Sequence, residues 1–134
     1  MQYPPPLPSK DLRQADDYQR QTSITAVYPA KYALEYLTMG LVGEAGEVAN
    51  KLKKVFRGDE GTGSMASTSD PLGPTVSRET KDKIIDELGD VLWYVAQLSR
   101  VLHTPLSAVM ENNLQKLAHR KEAGTLKGDA RDGR

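Results

Sequence analysis

Two acidic pairs of equal spacing, Glu44 with Glu47 and Glu87 with Asp90, sit inside the two most apolar stretches of the chain. A helix turns about 100° per residue, so side chains three apart project from one face, one turn above the other. Each pair is then a two-carboxylate claw, and two claws brought together by helix packing offer four hard oxygen donors. That donor set suits Mg²⁺, with Mn²⁺ as a second choice, and suits zinc poorly, because zinc favours His and Cys. The spacing therefore predicts a divalent-metal site.

Position separates these pairs from an ordinary solvated acidic face. Glu44 follows Leu41 by three and precedes Val48 by four, so it takes a slot in the apolar stripe itself. A lone carboxylate there is costly unless it is paired or metal-bound. Glu47 and Glu87 fall at the edges of their stripes and Asp90 points further away, which places the site beside the core, open to solvent or facing another subunit. Lys51 and Lys54 follow Glu47 by one and two turns, and Tyr94 follows Asp90 by one. Further on, Asn113, Lys116 and Arg120 share one face, an amide and two cations suited to phosphate oxygens. Together these groups could meet a phosphate chain and a base.

The elements that must position them read as helices. Ser9 or Asp11 can cap a first helix running to about Thr22, with Leu12, Ala15, Tyr18 and Gln19 on one side. Tyr28-Pro29 breaks the pattern, and Pro29 can open the next helix because its missing N–H is not needed in the first turn. From Lys31 to Phe56 the residues Leu34, Leu37, Leu41, Val48, Leu52 and Val55 recur at three- and four-residue steps, with Glu44 in the slot between Leu41 and Val48, predicting a long amphipathic helix stopped by Gly58. Gly40, Gly43 and Gly46 lie inside it, and each weakens a helix interior enough to need a reason, such as close helix approach or ligand access.

A second long helix is predicted from about Arg78 to Leu102, with Ile84, Leu88, Val91, Val95, Leu98 and Leu102 as its core stripe. After the His103-Thr104-Pro105 break comes a fourth, from about Leu106 to Glu122, with Val109, Met110, Leu114 and Leu117 inward. No alternating strand and no solenoid-period repeat is present, so the expected fold is all-α, a four-helix bundle. The composition predicts a Pro-rich arm over residues 1–8, one domain over 9–122 with a Gly-, Ser- and Thr-rich flexible loop at 59–77, and a disordered tail over 123–134.

Composition removes several classes of function. In 134 residues Lys plus Arg equals Asp plus Glu at 18 each, so no overall field draws the chain to nucleic acid or to an anionic membrane. One Phe and one Trp give no row of aromatics for stacking single-stranded bases. The absence of Cys excludes a disulfide framework and a thiolate nucleophile, which agrees with a cytoplasmic setting. Neither a signal peptide nor an apolar run of roughly 18 residues is found, so no membrane association is expected. Neither His103 nor His119 follows a glutamate by three, against a di-iron bundle site, and His119 reads as a surface residue. No phosphate-binding GxxxxGK[ST] loop and no Gly-x-Ser-x-Gly elbow occurs. Trp93 reads as packing, with a substrate-facing role at a subunit boundary as its alternative.

The run from Leu41 through Glu44, Glu47 and Asn50 to Lys54, then Asp86 to Tyr94, then Asn113 to Arg120, resembles the MazG-type all-α nucleoside triphosphate pyrophosphohydrolases. The Tyr18-Gln19 and Thr25-to-Pro29 stretches also resemble small single-domain members, and the likeness runs from about residue 12 to 122. The resemblance implies helices packed within and between subunits as a homodimer or homotetramer, and Mg²⁺-dependent hydrolysis of a nucleoside triphosphate to monophosphate and pyrophosphate. It implies Glu44, Glu47, Glu87 and Asp90 as metal ligands, with Tyr94, Asn113, Lys116, Arg120 and Lys54 on the substrate. Glu47 is the choice for handling the attacking water, and Gln19, Tyr28, Trp93 and Tyr94 sketch the base pocket. Many members carry a second glutamate directly before the first of the block, where this chain has Gly43. Two rivals stay open: a related enzyme acting on phosphoribosyl-ATP or on dCTP or dUTP, and a non-catalytic helical binding or regulatory protein.

Overall fold

The structure, a computed structural model, describes residues 13–57 and 76–125. The Pro-rich arm, the Ser9 or Asp11 cap, Gly58, nearly all of the 59–77 loop and the chain after Thr125 lie outside the described residues. Among the described residues four α-helices follow in order: α1 (Arg13–Thr22), α2 (Ala33–Arg57), α3 (Arg78–Val101) and α4 (Leu106–Glu122). No strand occurs among the described residues, so the all-α expectation holds.

Local chemistry fixes the boundaries. Pro29, extended at φ −63° and ψ 119°, precedes a 3₁₀ turn at Ala30–Tyr32 that feeds directly into α2. Ser77 caps α3, its Oγ accepting from the Thr80 N–H at 3.2 Å and donating to Thr80 Oγ1 at 3.0 Å. His103 ends α3 in the left-handed region at φ 54°, and the Thr104 N–H closes the turn onto the Ser99 carbonyl at 2.9 Å.

Helix α4 takes its N-terminal cap from α1. The Ser107 N–H and hydroxyl both donate to the Asp16 carboxylate, at 2.9 and 2.8 Å, and the Leu106 N–H donates to Gln19 Oε1 at 3.1 Å. Two of the donors that a helix start leaves without intrahelical partners are thereby satisfied, and the Asp16 charge faces the positive end of the helix. The Gln19 amide donates in turn to the Ala96 carbonyl at 3.2 Å and the Thr104 carbonyl at 3.1 Å, tying α1, α3 and α4 together.

The central unit is α2 against α3. Paired positions descend along α2 as they ascend along α3, from Lys51 with Glu87 to Gly40 with Tyr94, so the two run antiparallel. Among the described residues Leu37, Val55, Ala33, Ala96 and Leu106 are the buried apolar ones, joined by buried Gln19, Thr22, Thr80, Gln97 and Ser99. The core is therefore narrower than the stripes predict. Leu34, Leu52, Leu88 and Leu102 are a third or more exposed, as are Val109, Met110, Leu114 and Leu117, the four expected inward on α4. The physical reason is geometric: α1, α3 and α4 share one junction, and nothing among the described residues covers the far faces of α2, α3 and α4. Periodicity identifies an apolar face but not the chain that covers it.

Candidate functional site

Antiparallel pairing brings the two acidic motifs to one level of the helix pair. Oxygens of Glu44, Glu87 and Asp90 lie within 4.8 Å of one another. Glu44 and Glu87 are half-buried, and Asp90 is exposed. Lys51 Nζ sits 3.3 Å from Glu87 Oε1 across the same seam, so one of the three charges has a partner within the chain. The Glu44 carboxyl is pushed above its usual range by partial burial and then by the fields of Asp90, Glu87 and Glu47. Converging, mutually repelling oxygens with no thiol or imidazole among them fit a hard divalent cation such as Mg²⁺ or Mn²⁺.

Beside the acids opens a pocket of about 360 Å³ lined by Thr25, Glu44, Asp90, Trp93 and Tyr94. That volume falls in the lower range of small-molecule sites. Its aromatic wall is built in depth: Trp93 meets Tyr94 edge-on at 5.0 Å and Tyr28 edge-on at 6.4 Å, and Tyr28 stacks on Tyr36 at 5.9 Å. The polar tips of this wall are tied into the protein. Trp93 Nε1 donates to Thr25 Oγ1 at 2.8 Å, and that hydroxyl donates to the Thr22 carbonyl at 3.1 Å. Tyr28 donates to Gln97 Oε1 at 2.9 Å, and Gln97 Nε2 donates to Thr22 Oγ1 at 2.7 Å. The Tyr94 phenol is pushed above its ordinary pKa by burial, then by the neighbouring Tyr36 hydroxyl and by the nearby charges of Glu44 and Asp90. Tyr18 of α1 is raised likewise, by burial and by Asp90.

Placement of the expected site residues divides cleanly. Glu44, Glu87 and Asp90 converge, and Tyr94 and Trp93 flank them in the pocket wall. Glu47 is exposed on α2, outside the three converging oxygens but close enough to act on Glu44. Lys51, expected towards phosphate, faces Glu87. Lys54 is half-buried, and Asn113, Lys116 and Arg120 are exposed on α4; none of the four lines the pocket. Gln19 departs from the base-pocket sketch, because it is buried and both ends of its amide are spent on backbone groups of α3, α4 and their junction. Thr25, the anchor of the Trp93 ring, carried no expected role beyond its place in a resembling stretch.

Fold and site together define an all-α protein whose central antiparallel pair carries a cluster of hard oxygen donors beside an aromatic pocket. Residues 33–125 match the family model described as the MazG nucleotide pyrophosphohydrolase domain. The chain belongs to that family. It is similar to the Gene 37 protein of Mycobacterium phage L5, with 44% identity over 119 residues that span 84% of this chain and 93% of the relative. No solved structure gives a significant match. No described helix is long and apolar enough to cross a membrane.

Proposed function

We propose that this chain is a Mg²⁺-dependent nucleoside triphosphate pyrophosphohydrolase, converting a (d)NTP to the (d)NMP and pyrophosphate in the service of nucleotide-pool house-cleaning in the cytoplasm. The observation that carries this reading is the convergence of Glu44, Glu87 and Asp90 oxygens within 4.8 Å, directly beside an aromatic pocket.

Glu44, Glu87 and Asp90 would hold the metal. When bound, a divalent cation supplies charge neutralisation along the triphosphate and lowers the pKa of a coordinated water. Glu47, one turn from Glu44 and outside the converging three, orients and deprotonates the water that attacks the α-phosphorus. Tyr94 and Trp93 present ring surface to the base, and Lys54 and Asn113 hold the phosphate chain. Lys116 and Arg120 steady the departing pyrophosphate.

The proposed assembly is a homodimer or homotetramer. The uncovered apolar faces of α2, α3 and α4 support it, and so does the position of Asn113, Lys116 and Arg120 away from the pocket of their own chain. Association would cover the first and give the second a site to serve. Light scattering should return a multiple of the 14.7 kDa chain mass, and a monomer at all concentrations would remove the assembly.

Titration calorimetry tests the metal reading. The chain should bind Mg²⁺ and Mn²⁺, and Glu44→Gln should weaken that binding by about tenfold or more through loss of one charged donor. A chain that binds neither ion and releases no pyrophosphate would instead be a helical binding protein.

A further inference from the structure

We infer that Gly40 is a positioning residue for Tyr94: the missing side chain on α2 is the seat in which the Tyr94 ring rests as a wall of the pocket. A Cβ built on Gly40 would overlap Cε1, Cζ and Cδ1 of Tyr94. Three atoms of the ring body occupy the space, so no small movement of a flexible tip relieves the overlap. Among the three glycines of this stretch the contact belongs to Gly40 alone, since a Cβ at Gly43 or Gly46 meets nothing within 4 Å. Glycine weakens a helix interior relative to alanine, and at Gly40 that weakness is tied to a close approach between helices.

The seat matters because the ring is held on its other sides as well. Trp93 stands edge-on to it at 5.0 Å, and its phenol lies close enough to Tyr36 for the two hydroxyls to interact. With a methyl group at position 40 the ring cannot stay against α2. It lines the pocket, so its way out leads into the volume beside Glu44 and Asp90. Gly40 touches no substrate in this account; it acts through Tyr94, and the nucleotide half of the test rests on the proposed activity.

Trp93 is the single tryptophan of the chain, so its emission reports this neighbourhood without metal or substrate. Gly40→Ala should shift that emission, whereas Gly46→Ala should leave it unchanged. Introducing Gly40→Ala into a Tyr94→Ala background should produce no further shift, because the overlapping ring has gone. In turnover assays Gly40→Ala should raise the KM for nucleotide about tenfold or more.

If Gly40→Ala does not fold, recovery of the helical spectrum in the Gly40→Ala/Tyr94→Ala double variant supports the seat. Failure of the double variant while Tyr94→Ala folds overturns it. Unchanged emission in Gly40→Ala, or a shift of equal size with and without the Tyr94 ring, also overturns it. Absence of pyrophosphohydrolysis in the unaltered chain would sink the proposed function and leave the fluorescence cycle able to decide the role of Gly40.

Discussion

Replacing Glu47 by Gln is expected to lower pyrophosphate release by about 10²–10⁴-fold, the usual contribution of a positioned general base. Gln keeps the size of the side chain and removes its capacity to take a proton. Glu47 is exposed and stands outside the converging oxygens of Glu44, Glu87 and Asp90, so the fold should not notice the change. The helical circular-dichroism spectrum should be retained, and Mg²⁺ affinity should fall far less than in Glu44→Gln. A Glu47→Gln chain with near-normal kcat would take Glu47 out of the chemistry and leave the converging three to handle both metal and water.

The second large effect is on stability. Gln19→Ala should destabilise the chain by about 2–4 kcal/mol, because one buried N–H is left without its acceptor and two carbonyls each lose one of their donors. The Leu106 N–H loses its acceptor at the start of α4, and the Ala96 and Thr104 carbonyls lose a donor. The space left by a 9%-exposed side chain adds a cavity contribution of the same sign. Urea unfolding should show the loss as a lowered midpoint at unchanged slope. Stability within about 0.5 kcal/mol of the parent would mean that the clamp is dispensable and that Gln19 is retained for another purpose.

The contrast between Glu47 and Gln19 shows what a sequence discloses. Helix positions and their ends are readable because the signals are local: the three- and four-residue recurrence of Leu34, Leu37 and Leu41, Pro29 before the second helix, and the His103-to-Pro105 break. The acidic cluster was readable because Glu44 violates the stripe that holds it, and a violation of local pattern stands out. Gln19 violates nothing. Its partners lie 77, 85 and 87 residues away, and only tertiary packing turns a helix-face glutamine into a clamp.

Gly40 was visible as an anomaly in a helix, but its cause, the Tyr94 ring, belongs to another element. Thr25 is a small polar residue whose role depends wholly on the indole that reaches it. The apolar faces carrying Leu88, Leu114 and Leu117 have the pattern of a core and yet are exposed, because periodicity records hydrophobicity rather than the identity of what covers it.

The proposed reaction is metal-dependent cleavage between the α- and β-phosphates of a nucleotide. Incubating the chain with canonical and damaged NTPs and dNTPs, with and without Mg²⁺, and measuring pyrophosphate against orthophosphate tests it most directly. Nucleoside monophosphate and pyrophosphate should form in equal amounts, only when the metal is present. Release of orthophosphate, or of no product from any nucleotide in the panel, would contradict it.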